Sequence, residues 1–114
     1  MALPSYIGRE KPTRDRSAKQ EKRLAKSFGG RTTSNSGAKF GENDIKTPDF
    51  EIEAKTTYAK QFPLKLETLK SAAKKCPFEK IPLLIVEFDG GERKDEYVII
   101  ERGDFITLTG AKDL

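Results

Sequence analysis

The chain has 114 residues, 35% hydrophobic and 35% charged, a balance that suits one domain with a small core. It contains no histidine, no tryptophan and one cysteine, so Ser-His-Asp and Cys-His nucleophilic catalysis, His/Cys zinc sites and histidine-held haem fall away together. Any catalysis rests on carboxylates and lysines, which suit a hard, oxygen-preferring cation such as Mg²⁺ or Mn²⁺. A lone Cys76 cannot close an internal disulfide, and no apolar run is long enough to span a bilayer, so the expectation is a soluble, cytoplasmic protein with no membrane partner. The net charge of +4 is uneven: the first 40 residues hold ten basic and three acidic residues, the remainder twelve and fifteen. A basic front joined to a mildly acidic body favours a polyanion partner.

In chain order, residues 1–16 mix Pro4, Gly8, Pro12 and alternating charges without an apolar period and read as a flexible basic arm, followed by one domain over 17–114. Ser17 with Gln20 forms a capping-box pattern and Gly29-Gly30 a stop, predicting a helix from Ala18 to Phe28. Ala18, Leu24, Ala25 and Phe28 fall on one arc of it with Glu21 in the middle, and Lys19, Lys22, Arg23 and Lys26 lie opposite. Residues 29–43 read as a polar loop. Asp44-Ile45 suggests a short strand and Lys46 to Asp49 a turn, while Phe50 to Thr57 alternates, with Phe50, Ile52, Ala54 and Thr56 on one face and Glu51, Glu53 and Lys55 on the other. Pro63 opens a second helix over Leu64 to Lys75, with Leu66, Leu69, Ala72, Ala73 and Cys76 as its buried stripe. Ile81 to Phe88 reads as a central strand, Asp89-Gly90-Gly91 as a turn, Glu96 to Glu101 as a further strand, and Phe105, Ile106 and Leu108 as a short helical tail. The order predicts an α/β domain with a central mixed sheet flanked by helices.

Strand alternation puts Glu53 and Lys55 on one face about 6.6 Å apart, so a metal-binding carboxylate and a cation can address one phosphate. Asp44 and Asp49 compete as the second metal ligand. An aspartate at 49 on a continuous strand is about 13 Å from Glu53, too far to share an ion. A tight hairpin pairing Ile45 with Phe50, by contrast, leaves Asp44 diagonal to Glu53 on the same face. Such a set suits phosphodiester hydrolysis. Asp44 and Glu53 would hold one or two Mg²⁺ ions, Glu21 would join them directly or through water, and Lys55 would orient or deprotonate the water and stabilise developing charge. Arg31, Ser34, Ser36 and Lys39 in the loop, with Lys22 and Arg23 on the helix, are candidate contacts to DNA phosphates.

A helix carrying Glu21, a basic and serine-rich loop, Asp44, Glu53-Ala54-Lys55, a helix and two apolar strands together resemble the PD-(D/E)xK nuclease superfamily, most of all the archaeal-type Holliday junction resolvases. The proline that the family places before its first aspartate is Asn43 here, and the literal Pro48-Asp49 pair lies further on. The resemblance implies a restriction-endonuclease-like fold and Glu21, Asp44, Glu53 and Lys55 as the active site, with Arg31 and Ser36 supporting DNA contacts. It further implies Mg²⁺, with Mn²⁺ able to substitute, and a homodimer cutting branched DNA on two strands to leave 5′-phosphates. Apolar residues near Phe78, Ile81 and Phe105 to Leu108 are the candidate interface. The alternatives are a nuclease of the same superfamily acting on nicks, forks or duplex ends, and a non-catalytic nucleic-acid-binding module.

Overall fold

The structure is a computed structural model and describes residues 13–33, 42–88 and 95–112. These form α1 (Thr13–Ser27), β1 (Arg31–Thr32), β2 (Ile45–Lys46), β3 (Phe50–Thr56), α2 (Leu66–Lys74), β4 (Ile81–Glu87), β5 (Glu96–Ile100) and α3 (Arg102–Thr109). The five strands make one mixed sheet in the order β1-β2-β3-β4-β5. Only β3 and β4 run parallel, joined by the α2 crossover, and the other neighbours are antiparallel. The expected mixed sheet with flanking helices is present, and among the described residues no helix is long and apolar enough to cross a membrane.

Alternation along β3 divides the molecule. Ile52 and Ala54 join Leu24, Ala25, Ile45, Leu83 and Ile85 in one core, against which Phe28, Phe50, Ile81 and Ile100 pack. Each large aliphatic side chain buried there contributes about 2 kcal/mol. The opposite face of β3 carries Glu51, Glu53 and Lys55 toward α2, whose buried residue is Ala72. Leu83 to Val86 are all buried, as a central strand covered on both faces requires. Ile81, a candidate interface residue, packs instead against the core.

Four elements differ from their sequence reading, the first being β1, a two-residue strand paired with β2 inside the expected loop over residues 29–43. Helix α1 begins at Thr13 rather than Ala18, so residues 13–16 belong to the helix and not to an arm, while residues 1–12 lie outside the described residues. The extension has a tertiary cause: Arg16 is buried with its guanidinium 3.2 Å over the Tyr58 ring, and Gln20 is buried a turn later. Ser17 is therefore helix interior, and Ala18 is exposed. Helix α2 starts at Leu66, after an extended Lys65, leaving Leu66 and Ala73 of the expected buried stripe exposed. The β2–β3 hairpin is wider than expected, pairing Ile45 with Ile52 and Lys46 with Glu51. Its turn is set by Thr47, whose N–H donates to the Phe50 carbonyl at 2.9 Å and whose hydroxyl oxygen accepts from the Phe50 N–H at 2.8 Å.

Helix α1 ends where Gly29 takes a left-handed φ of 69°. Gly30 then passes so close to β2 that a Cβ there would drive into the Lys46 carbonyl. This contact fixes the helix end against the hairpin.

Candidate active site

The two-residue shift in the hairpin keeps every side chain on its face, because the strand period is two. Carrying the register one position beyond β2 sets Asp44 opposite Glu53 rather than diagonal to it. The Asp44 side chain is fixed there, its Oδ2 accepting from the Ala54 N–H at 2.9 Å. Burial, followed by the charge of Glu53, raises the Asp44 pKa despite that hydrogen bond. Asp49 sits exposed in the turn at the other end of β3, its carbonyl accepting from the Ile81 N–H at 3.0 Å. Of the two aspartates, Asp44 is the one beside Glu53.

Glu53 faces a lysine on each oxygen. Lys55 Nζ lies 3.2 Å from Oε2 and Lys75 Nζ lies 3.6 Å from Oε1. Oε1 is buried and accepts no hydrogen bond, a costly state for a carboxylate oxygen unless something electropositive completes it. From α1, Glu21 comes near enough to be felt: burial first, then the charges of Asp44 and Glu53, push its carboxyl up to about 7, with Lys55 pulling the other way. The structure thus brings Glu21, Asp44, Glu53 and Lys55 into one electrostatic neighbourhood. Glu53 and Lys55 of this set border a cleft of about 440 Å³ whose lining includes Glu67, Thr68, Ser71 and Lys75.

Among the described residues, no three acidic or cysteine side chains converge tightly enough to hold an ion as they stand. The donor set nevertheless fits a hard divalent cation. All its atoms are carboxylate oxygens, one of them, Glu53 Oε1, is buried without a hydrogen bond, and two of the three carboxylates are raised in pKa, first by burial and then by neighbouring carboxylate charge that such a cation would offset. Asp44 and Glu53 would hold the ion, and Glu21 would complete its shell.

Arg23 is placed otherwise than expected. Its guanidinium is held by Glu87 at 2.7 Å and by Glu96 at 2.8 Å, which raises its pKa through the Glu96 hydrogen bond above all. Rather than meeting phosphate, it ties α1 to the end of β4 and the start of β5. Gln20 works beside it, donating from Nε2 to the Lys55 carbonyl at 2.9 Å and to Glu96 at 3.3 Å. Sequence reasoning missed this stripe because Arg16, Gln20 and Arg23 are polar. The only signal was a Glu at each end of the β4–β5 connection facing a helix with an i, i+4, i+7 polar row.

Lys22 is exposed on α1, and Arg31 lies exposed on β1 in a shallow cleft shared with Gly30, Lys46, Thr47 and Lys80. Ser34, Ser36 and Lys39 lie outside the described residues. Cys76 is half-buried, and burial followed by the charge of Glu51 pushes its thiol up to about 11, which keeps it protonated and unreactive. No family model matches the chain, and neither a curated protein nor a solved structure matches it.

Proposed function

We propose that the chain is a divalent-metal-dependent endodeoxyribonuclease with a restriction-endonuclease-like sheet, acting on four-way DNA junctions as a homodimer. One observation supports the reading above others: Asp44, Glu53 and Lys55 come together at one end of the β2–β3 hairpin, and Glu21 from α1 is near enough to feel all three, its carboxyl pushed up to about 7 by burial first and then by Asp44 and Glu53. Resemblance supports the junction as substrate, and the basic first 40 residues support a polyanion. Dimerisation is supported by exposed apolar side chains, among them Phe78, Leu66, Tyr97, Val98, Phe105 and Leu108.

A bound Mg²⁺ supplies charge neutralisation at the scissile phosphate and lowers the pKa of water beside it. The chain does the rest. Asp44 and Glu53 fix the position at which water can stand in line with the leaving oxygen. Lys55, with its ammonium on the cleft side of Glu53, offsets the negative charge that grows on the phosphate oxygens. Water gives up a proton to solvent as its oxygen bonds to phosphorus, the bond from phosphorus to O3′ breaks, and O3′ takes up a proton from solvent, leaving a 5′-phosphate and a 3′-hydroxyl. The Arg23–Glu87–Glu96 cluster and Gln20 hold α1 in place, and with it Glu21 beside the hairpin.

The test incubates the protein with an end-labelled four-way junction and a matched linear duplex, with Mg²⁺ or EDTA. Paired cuts near the branch point that vanish with EDTA are expected. Equal cutting of both substrates keeps a nuclease of the other substrate classes, and binding without any metal-dependent product points to a non-catalytic binding module.

A further inference from the structure

Lys75 closes α2, its N–H donating to the Ser71 carbonyl at 3.2 Å, and its side chain crosses to β3. There the ammonium stands 3.6 Å from Glu53 Oε1, on the opposite oxygen from Lys55. The pairing is loose. Arg23 grips its two carboxylates at 2.7 and 2.8 Å, whereas Oε1 of Glu53 is buried and accepts no hydrogen bond. Lys75 is also one of the charges that Asp44 feels, and it borders the cleft together with Lys55, Ser71 and Thr68.

Charge counting gives Lys75 a role. When ionised, Glu21, Asp44 and Glu53 carry three negative charges, which a divalent cation and Lys55 just cancel. A phosphodiester adds one more, and attack on phosphorus makes the group doubly negative. With one cation bound, positive charge beyond Lys55 would stabilise that state, and Lys75 is the further ammonium at Glu53. Resting on the nuclease reading above, we propose that Lys75 is a second phosphate-facing lysine of this site. It holds Glu53 while no cation is bound, and turns to a non-bridging oxygen of the substrate once a cation takes Glu53.

Such a residue has a signature that a structural lysine lacks: it competes with the metal yet assists the reaction. Mg²⁺ binding to the chain without DNA, followed by calorimetry, is expected to tighten about fivefold in Lys75→Met, because a rival cation has left Glu53. Single-turnover junction cleavage at saturating Mg²⁺ is expected to slow about 100-fold in the same variant and to recover in large part in Lys75→Arg. Unchanged cleavage in Lys75→Met overturns the proposal, as does a joint loss of Mg²⁺ affinity, cleavage and melting temperature, which would mark a structural prop. In either of those cases the wild-type protein still cuts. A wild-type protein that neither binds Mg²⁺ nor cuts the junction overturns the nuclease reading and this proposal with it.

Discussion

Glu51 and Glu53 stand two residues apart on the same face of β3, and each is bracketed by two lysines. Glu51 has Lys46 at 3.5 Å and Lys80 at 3.6 Å, while Glu53 has Lys55 at 3.2 Å and Lys75 at 3.6 Å. Their surroundings separate them. The Glu51 side chain is 0% exposed, and the buried amide of Asn43 lies over it, donating to its Oε1 at 3.5 Å and to the Ala72 carbonyl at 3.1 Å. Glu53 is 15% exposed, opens on the cleft, and has Asp44 as its opposite number. An ion-paired carboxylate on a strand is therefore no mark of function. What distinguishes Glu53 is a second carboxylate across the hairpin and room for a phosphate in front of it.

The largest effect that would break this comparison is on activity. Glu53→Gln removes the ligand proposed for the metal, and Mg²⁺-dependent cleavage is expected to fall at least about 1,000-fold with the melting temperature held or raised. Next in size is the cluster that ties α1 down. Arg23→Met leaves Glu87 and Glu96 without their cation, Glu87 being only 4% exposed at its side chain. Loss of about 3 kcal/mol of stability is expected in urea titration, reduced if the Glu→Gln partner changes are made with it.

Glu51→Gln should behave as the reverse of Glu53→Gln. Because Lys46 and Lys80 keep partial access to water, about 2 kcal/mol of stability is expected to go, while cleavage per folded molecule stays within about threefold of wild type.

The smallest effect is a pH slope. Folded Glu21 keeps its proton up to about 7, against an ordinary value of 4.5, so the folded chain binds more protons across that window. In chelator, its contribution makes stability fall as pH rises from about 4.5 to about 7, and stay lower above. The urea midpoint of Glu21→Gln, compared at pH 5 and pH 8, is expected to lose that part of the slope and to exceed wild type at pH 8.

Much of the frame was legible because period-two alternation on β3 and a continuous apolar run on β4 are local signals. They separated Ile52 and Ala54 from Glu51, Glu53 and Lys55 before any pairing was known. The hairpin register was not legible. It depends on the Thr47 hydrogen bonds that widen the turn, which hydropathy does not encode. Asp44 still met Glu53, because a shift of two residues preserves the face. The polar stripe of α1 was hidden for another reason: the burial of Arg16 and Gln20 and the pairing of Arg23 depend on Tyr58, Glu87 and Glu96, all more than 35 residues away in sequence. Lys75 was missed for the same cause, since nothing in the α2 period separates it from Lys74.

The most direct test of the difference between the two carboxylates is Mn²⁺ uptake by metal-stripped protein, read by electron paramagnetic resonance on wild type, Glu53→Gln and Glu51→Gln. Wild type and Glu51→Gln are expected to take up the ion and Glu53→Gln to leave it free in solution. Equal uptake by wild type and Glu53→Gln, or loss of uptake in Glu51→Gln alone, would contradict the assignment of the metal to the Asp44–Glu53 end of the hairpin.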